Sequence, residues 1–184
     1  MVVATPPKMA VDEFCSRHST EAGTELVRGE LIRVAVATVI TVDRVVVNVA
    51  FALNAFLDRH DLGYMLSGSA CVCTAPDTVR VADVAYWSKP KLPIVPDSAG
   101  PIRTPPDAVF EVRRRTETWL MRLTRAVEYL RAGVPVAVIF DSATTSAVIY
   151  RSAERPQIVE KDETLTIPDV LPGFEMPVVR FFEE

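Results

Sequence analysis

Lysine is almost absent from this chain. Lys8, Lys89, Lys91 and Lys161 are the only ones, set against 16 arginines. No lysine side chain is therefore available between positions 91 and 161 to act as a base, because arginine stays protonated at any working pH. Histidine is scarce too, and His18 and His60 both fall near the ends of predicted helices, where an imidazole interacts with terminal carbonyls. The three cysteines, Cys15, Cys71 and Cys73, form an odd set without framework spacing, which implies reduced thiols. A structural zinc wants four N or S ligands, so Cys71-x-Cys73 reads as two small residues on one side of a strand. Also missing are a G-x-x-x-x-G-K-[ST] phosphate loop, a G-x-G-x-x-G turn, a G-x-S-x-G elbow and an H-E-x-x-H pair. The most apolar segment, 45–57, is too short to span a bilayer and is bracketed by Asp43, Arg44, Asp58 and Arg59. The opening MVVATPPKMAVDEF has no basic region followed by an apolar run. The expectation is a cytoplasmic protein without a membrane span.

What is present is ordinary for a globular protein: 184 residues, 49% apolar and 24% charged. That length favours one domain over 1–184, with 1–8 as a flexible tail. The net charge of −4 argues against general attraction to nucleic acid, yet charge is unevenly placed. From Arg103 to Arg131, seven arginines face Asp107, Glu111, Glu117 and Glu128, a local excess of three positive charges.

A short helix is expected within 9–18, followed by two strands around a tight turn at Arg28-Gly29. Val42, Val45, Val46, Val49, Leu53, Phe56 and Leu57 then follow helical spacing. Strands are expected at 64–74, 78–88 and 108–113, with a proline-rich loop over 88–106 between the last two. Thr116 or Thr118 caps a helix that runs to Ala132, with Leu120, Leu123, Val127 and Leu130 on its inner face and Gly133 ending it. The apolar run 134–140 reads as a doubly buried strand, and 147–152 with 157–161 as an outer antiparallel pair. The tail TIPDVLPGFEMPVVRFF forms an irregular apolar strap. The fold class is α/β of the α+β kind, a mixed sheet with helices against it.

Two strands carry a carboxylate where an apolar residue would be expected. In DAVFEVRRR, Val109, Glu111 and Arg113 share a face; in DTVRVADVAYW, Asp83 interrupts Val79, Val81 and Ala85. A buried carboxylate is costly unless paired or metal-bound. Arg113 or Arg125 could neutralise Glu111 as a structural pair, and Asp83 with Arg125 would be another. Alternatively, both acids and a backbone carbonyl could hold Mg²⁺ or Mn²⁺, which polarises a phosphoryl group and lowers the pKa of bound water.

TELVRGELI, PDTVRVADVAYWS, DAVFEV, YLRAGVPVAVIFD and LPGFEMPVVRFF, in that order, resemble the Uma-type family of putative restriction endonucleases, a branch of the PD-(D/E)XK nuclease superfamily. The resemblance implies a restriction-endonuclease-like sheet, a metal-dependent endonuclease acting on DNA, and Mg²⁺ or Mn²⁺ as cofactor. It carries Asp83 and Glu111 over as metal ligands and catalytic acids, Val112 as a carbonyl ligand, and Glu25 as a residue reaching the site through water or a second ion. The family lysine four residues before Tyr129 is Arg125 here, and Ala82 replaces the proline before the key aspartate. Arg113, Arg114, Arg115 and Thr116 replace the family's L-S-P-S, and VITVDRV lacks its usual histidine. Arg113 or Arg125 would then stabilise transition-state charge, with Arg114, Arg115 and Arg122 as contacts to DNA phosphates. A homodimer fits cutting of two antiparallel strands. The alternative is an inactive nuclease-fold protein that binds nucleic acid or a protein partner.

Overall fold

A computed structural model describes residues 8–18, 21, 23–33, 40–94 and 102–183. Most of the expected tail and the centre of the proline-rich loop lie outside the described residues. The chain order is α1 (Val11–Arg17), β1 (Thr24–Val27), β2 (Glu30–Arg33), α2 (Ile40–His60), β3 (Gly63–Ala75), β4 (Thr78–Ser88) and β5 (Ala108–Arg113). It continues with α3 (Trp119–Arg131), β6 (Val136–Asp141), β7 (Ser146–Arg151), β8 (Gln157–Val159), β9 (Thr164–Thr166), β10 (Glu175–Pro177) and a closing 3-10 turn, Val178–Phe181. Eight strands form one mixed sheet in the order β2-β1-β4-β5-β6-β7-β8, with β3 also pairing β4; β9 and β10 form a separate pair.

The turn between β1 and β2 places Arg28 at φ 53° and Gly29 at φ 79°. Two consecutive left-handed residues make the tight hairpin turn whose twist suits the flanking strands, and glycine adopts that conformation without penalty. Strands β5 and β6 are parallel, with Val109 opposite Ala137 and Arg113 opposite Asp141. Parallel neighbours need a crossover, and α3 supplies it. Thr118 begins that helix by accepting a hydrogen bond from Met121 N at 3.3 Å. Gly133, at φ 92°, ends it, with its N–H donating to Leu130 O.

The sheet's two faces are covered differently. Val42, Val45, Val49 and Leu53 of α2 pack on Val84, Tyr86, Phe110 and Val112, and Leu171, Phe174 and Phe181 of the C-terminal strap complete that core. Across the sheet, Ala126 and Tyr129 of α3 pack with Ala85, Trp87, Val109 and Ile139.

The orientation of α3 differs from the sequence expectation. Its buried residues are Arg122, Ala126 and Tyr129, whereas Leu120 is 72% exposed and Leu123 39%. Val127 and Leu130 are only half-buried. The helix thus turns a largely polar stripe inward, because the strand beneath it carries Glu111, whose buried charge requires partners that leucine cannot supply.

His60 contacts the Phe56 carbonyl at 2.8 Å, as a helix-end imidazole should. His18 instead meets Glu21 at 2.9 Å. No described helix is long and apolar enough to cross a membrane.

Candidate active site

Where β1, β4 and β5 run side by side, two carboxylates replace backbone partners at points where the ladder opens. Val84 lies opposite Phe110, so the next step of the register sets Asp83 against Glu111. There Asp83 Oδ2 accepts the Val112 N–H at 2.8 Å. Beyond the Leu26–Val79 pairing, Glu25 Oε1 accepts the Val81 N–H at 3.0 Å. Each acid satisfies a backbone donor that would otherwise be orphaned in a nearly dry environment.

Glu111 is 3% exposed. Its Oε2 accepts from Arg122 Nη1, and its Oε1 accepts from Arg125 Nη2 at 3.0 Å and from the Tyr129 hydroxyl at 2.8 Å. The two guanidiniums outweigh desolvation and hold its carboxyl below the usual carboxylate range. Arg122 also donates from Nη2 to the Val112 carbonyl at 2.8 Å and from Nε to Glu117 Oε2 at 2.8 Å. Arg125 forks the other way, donating from Nη1 to both oxygens of Glu25, at 2.7 and 3.0 Å, and from Nη2 to the Val81 carbonyl at 2.7 Å. Arg80 closes the outer end, joining Glu25 Oε2 at 2.9 Å to Glu128 Oε2 at 2.7 Å.

Asp83 is treated differently. Burial and the neighbouring Glu111 push its carboxyl up to about 6, against the pull of Arg122, the Val112 N–H and Arg114. Its Oδ1 has the Arg114 guanidinium only at 4.0 Å.

Asp83, Glu111, Val112, Glu25, Arg125 and Arg122 are thus brought together. Arg113 is not. Its Nη2 donates to both oxygens of Asp141, at 2.9 and 3.0 Å, its Nη1 donates to the Glu117 carbonyl, and the guanidinium lies 5.4 Å over the Trp119 ring. Of the two partners anticipated for Glu111, Arg125 pairs with it and Arg113 does not, Arg122 being the second partner; the anticipated pairing of Asp83 with Arg125 is replaced by Asp83 near Arg114. Arg122, expected at phosphate, is 2% exposed, while Arg114 is half-buried and Arg115 exposed. Sequence reasoning missed Arg80, Glu117, Glu128 and Asp141. Arg80 stands at the polar position between Val79 and Val81, so the alternation of β4 carried no signal for it.

The donor set does not fit a divalent ion as arranged. Mg²⁺ would have to bind Glu111 and the Val112 carbonyl beside guanidinium groups that already sit on those oxygens and repel it. Among the described residues no group of three His, Cys, Asp or Glu side chains is placed to hold a metal.

A mixed sheet with α2 and α3 on opposite faces and an acid on each of two adjacent central strands is the fold shared with a putative nuclease of known structure. The chain belongs to the Uma2 family, described as "Putative restriction endonuclease", which matches residues 11–179. It is similar to a crystal structure titled a putative nuclease belonging to DUF820 from Anabaena variabilis. That likeness has a TM-score of 0.78 and 16% identity, and covers 95% of this chain and 97% of the other. No curated protein matches the sequence.

Proposed function

We propose that this is a nuclease-fold protein that engages nucleic-acid phosphates while its acidic centre stays closed to hydrolysis. One observation carries the reading: both oxygens of Glu111 and the carbonyl of Val112 are held by guanidinium groups. Arginine cannot give up its proton, so neither Arg122 nor Arg125 can activate water as a desolvated lysine could. The nucleic-acid part rests on the family, on Arg114 beside Asp83, and on the exposed Arg115 next to it in the chain. Contacts of that type fix position on a backbone without reading sequence, and their affinity falls with salt.

The second reading, a Mg²⁺- or Mn²⁺-dependent DNA endonuclease, is favoured by Asp83, whose Oδ1 lacks a close partner among the described residues. In it Asp83, Glu111 and the Val112 carbonyl would hold the ion, with Glu25 reaching it through water and Arg125 meeting the phosphate. The ion would supply Lewis acidity and a nucleophilic water. A homodimer belongs to this reading, because only a cutting enzyme needs two centres on two strands.

Plasmid nicking and duplex binding, each with and without Mg²⁺ or Mn²⁺, separate the two. Salt-sensitive binding without nicking, weakened several-fold by Arg115→Ala, is expected. Metal-dependent nicking abolished by Asp83→Ala and Glu111→Ala would establish the endonuclease instead.

A further inference from the structure

We infer that Arg122 is an internal cation standing where a divalent metal would bind, and that removing its guanidinium alone opens a metal site. The inference deepens the closed-centre reading above and rests on it. Arg122 reaches Glu111 Oε2 with one terminal nitrogen and the Val112 carbonyl, at 2.8 Å, with the other. Those are two of the oxygens a hard cation would take from this pair of strands. A third side is locked, since Glu117 Oε2 holds Arg122 Nε at 2.8 Å and Nη2 at 2.7 Å. Glu117 in turn accepts the Arg114 N–H at 2.9 Å, so the device is anchored to the backbone just beyond β5. A residue merely filling space would not have all three guanidinium nitrogens matched to acceptors, two of them on Glu111 and the Val112 carbonyl.

Charge points the same way. Glu25, Asp83, Glu111, Glu117 and Glu128 face Arg80, Arg114, Arg122 and Arg125. With all groups ionised, five carboxylates against four guanidiniums leave one net negative charge. A divalent ion added to that cluster would overshoot neutrality and sit against guanidiniums packed around the same acids. Without Arg122 the excess is two negative charges, matched by one such ion. Helix α3 brings Arg122 inward together with Ala126 and Tyr129, so displacing the guanidinium means rotating it out of a packed face rather than swinging a surface side chain.

Mn²⁺ serves as the probe, with DNA absent, read by thermal denaturation and by the paramagnetic signal of free Mn²⁺. The native protein, Arg122→Ala, Arg122→Met and Arg122→Ala with Asp83→Asn are compared. Arg122→Met keeps most of the side-chain volume and guards against a variant that fails to fold. The native protein is expected to show no melting shift. The single variants should bind Mn²⁺ on the order of tenfold or more tightly and melt higher in its presence, since site charge sets cation affinity. Adding Asp83→Asn should cancel the gain. If Arg122→Ala folds only when Mn²⁺ is supplied, that also supports the inference. Native protein binding Mn²⁺ as tightly as the variants, or variants that gain nothing, would overturn it. Either result leaves the Arg115→Ala binding test untouched, so failure of the metal device and failure of phosphate recognition are distinguishable.

Discussion

Asp83 titrates against the fold. Its carboxyl stands at about 6 in the folded chain, pushed up by burial and by Glu111, whereas an unfolded aspartate titrates near 3.9. The folded form therefore binds the proton more tightly. This protonation favours folding at low pH; the advantage is lost as pH rises from about 4 and is gone once pH passes about 6. Asp83→Asn keeps an acceptor for the Val112 N–H without the charge. It should raise stability at pH 8 by roughly 1–3 kcal/mol, by about half as much near pH 5, and change little near pH 3, as paired urea melts would show. Glu111 behaves oppositely, being held ionised by two arginines. Removing one partner of a buried pair strands the other, so Glu111→Ala should cost about 3–5 kcal/mol in the same melts. Arg125→Lys has a narrower consequence. A single ammonium cannot reproduce the fork that reaches Glu25, Glu111 and the Val81 carbonyl. A loss of about 1–3 kcal/mol is expected, so lysine at this position would not be a neutral restoration.

Among the elements, α3 shows most clearly what sequence patterning misses. The strands over 78–88 and 108–113 were readable to the residue, because alternation and flanking turns mark them. The same method found the extent of α3 but assigned the wrong face. Hydrophobic periodicity weighs transfer of apolar area, whereas Glu111 imposes an electrostatic demand from a strand distant in sequence. The acids Asp83 and Glu111 were likewise legible as misfits in apolar strands, but their partners were not, since side-chain reach across a sheet is set by register and helix rotation. A stability comparison tests the rotation directly. Leu120→Gln should shift stability by less than about 0.5 kcal/mol, whereas Ala126→Gln should cost about 1–3 kcal/mol by overpacking against Tyr129 and Val109. Thr118→Ala, which removes the cap on Met121 N, should cost about 1 kcal/mol.

For the whole molecule, the two coverings of the sheet divide the labour. The α2 side is an apolar core closed by the C-terminal strap. On the α3 side, an apolar centre sits beside a charged seam running from Arg80 to Arg113. The positive excess read along the sequence between Arg103 and Arg131 is largely spent inside the protein. Arg113, Arg122, Arg125 and, more loosely, Arg114 answer internal acids. Electrostatic attraction for a polyanion is correspondingly weaker than the arginine count suggests.

The carboxylates of Glu25 and Asp83 plug the ladder where neighbouring strands part, each receiving a main-chain amide. Both acids therefore serve the main chain whether or not any phosphodiester is cut, and their presence by itself does not mark a working hydrolase.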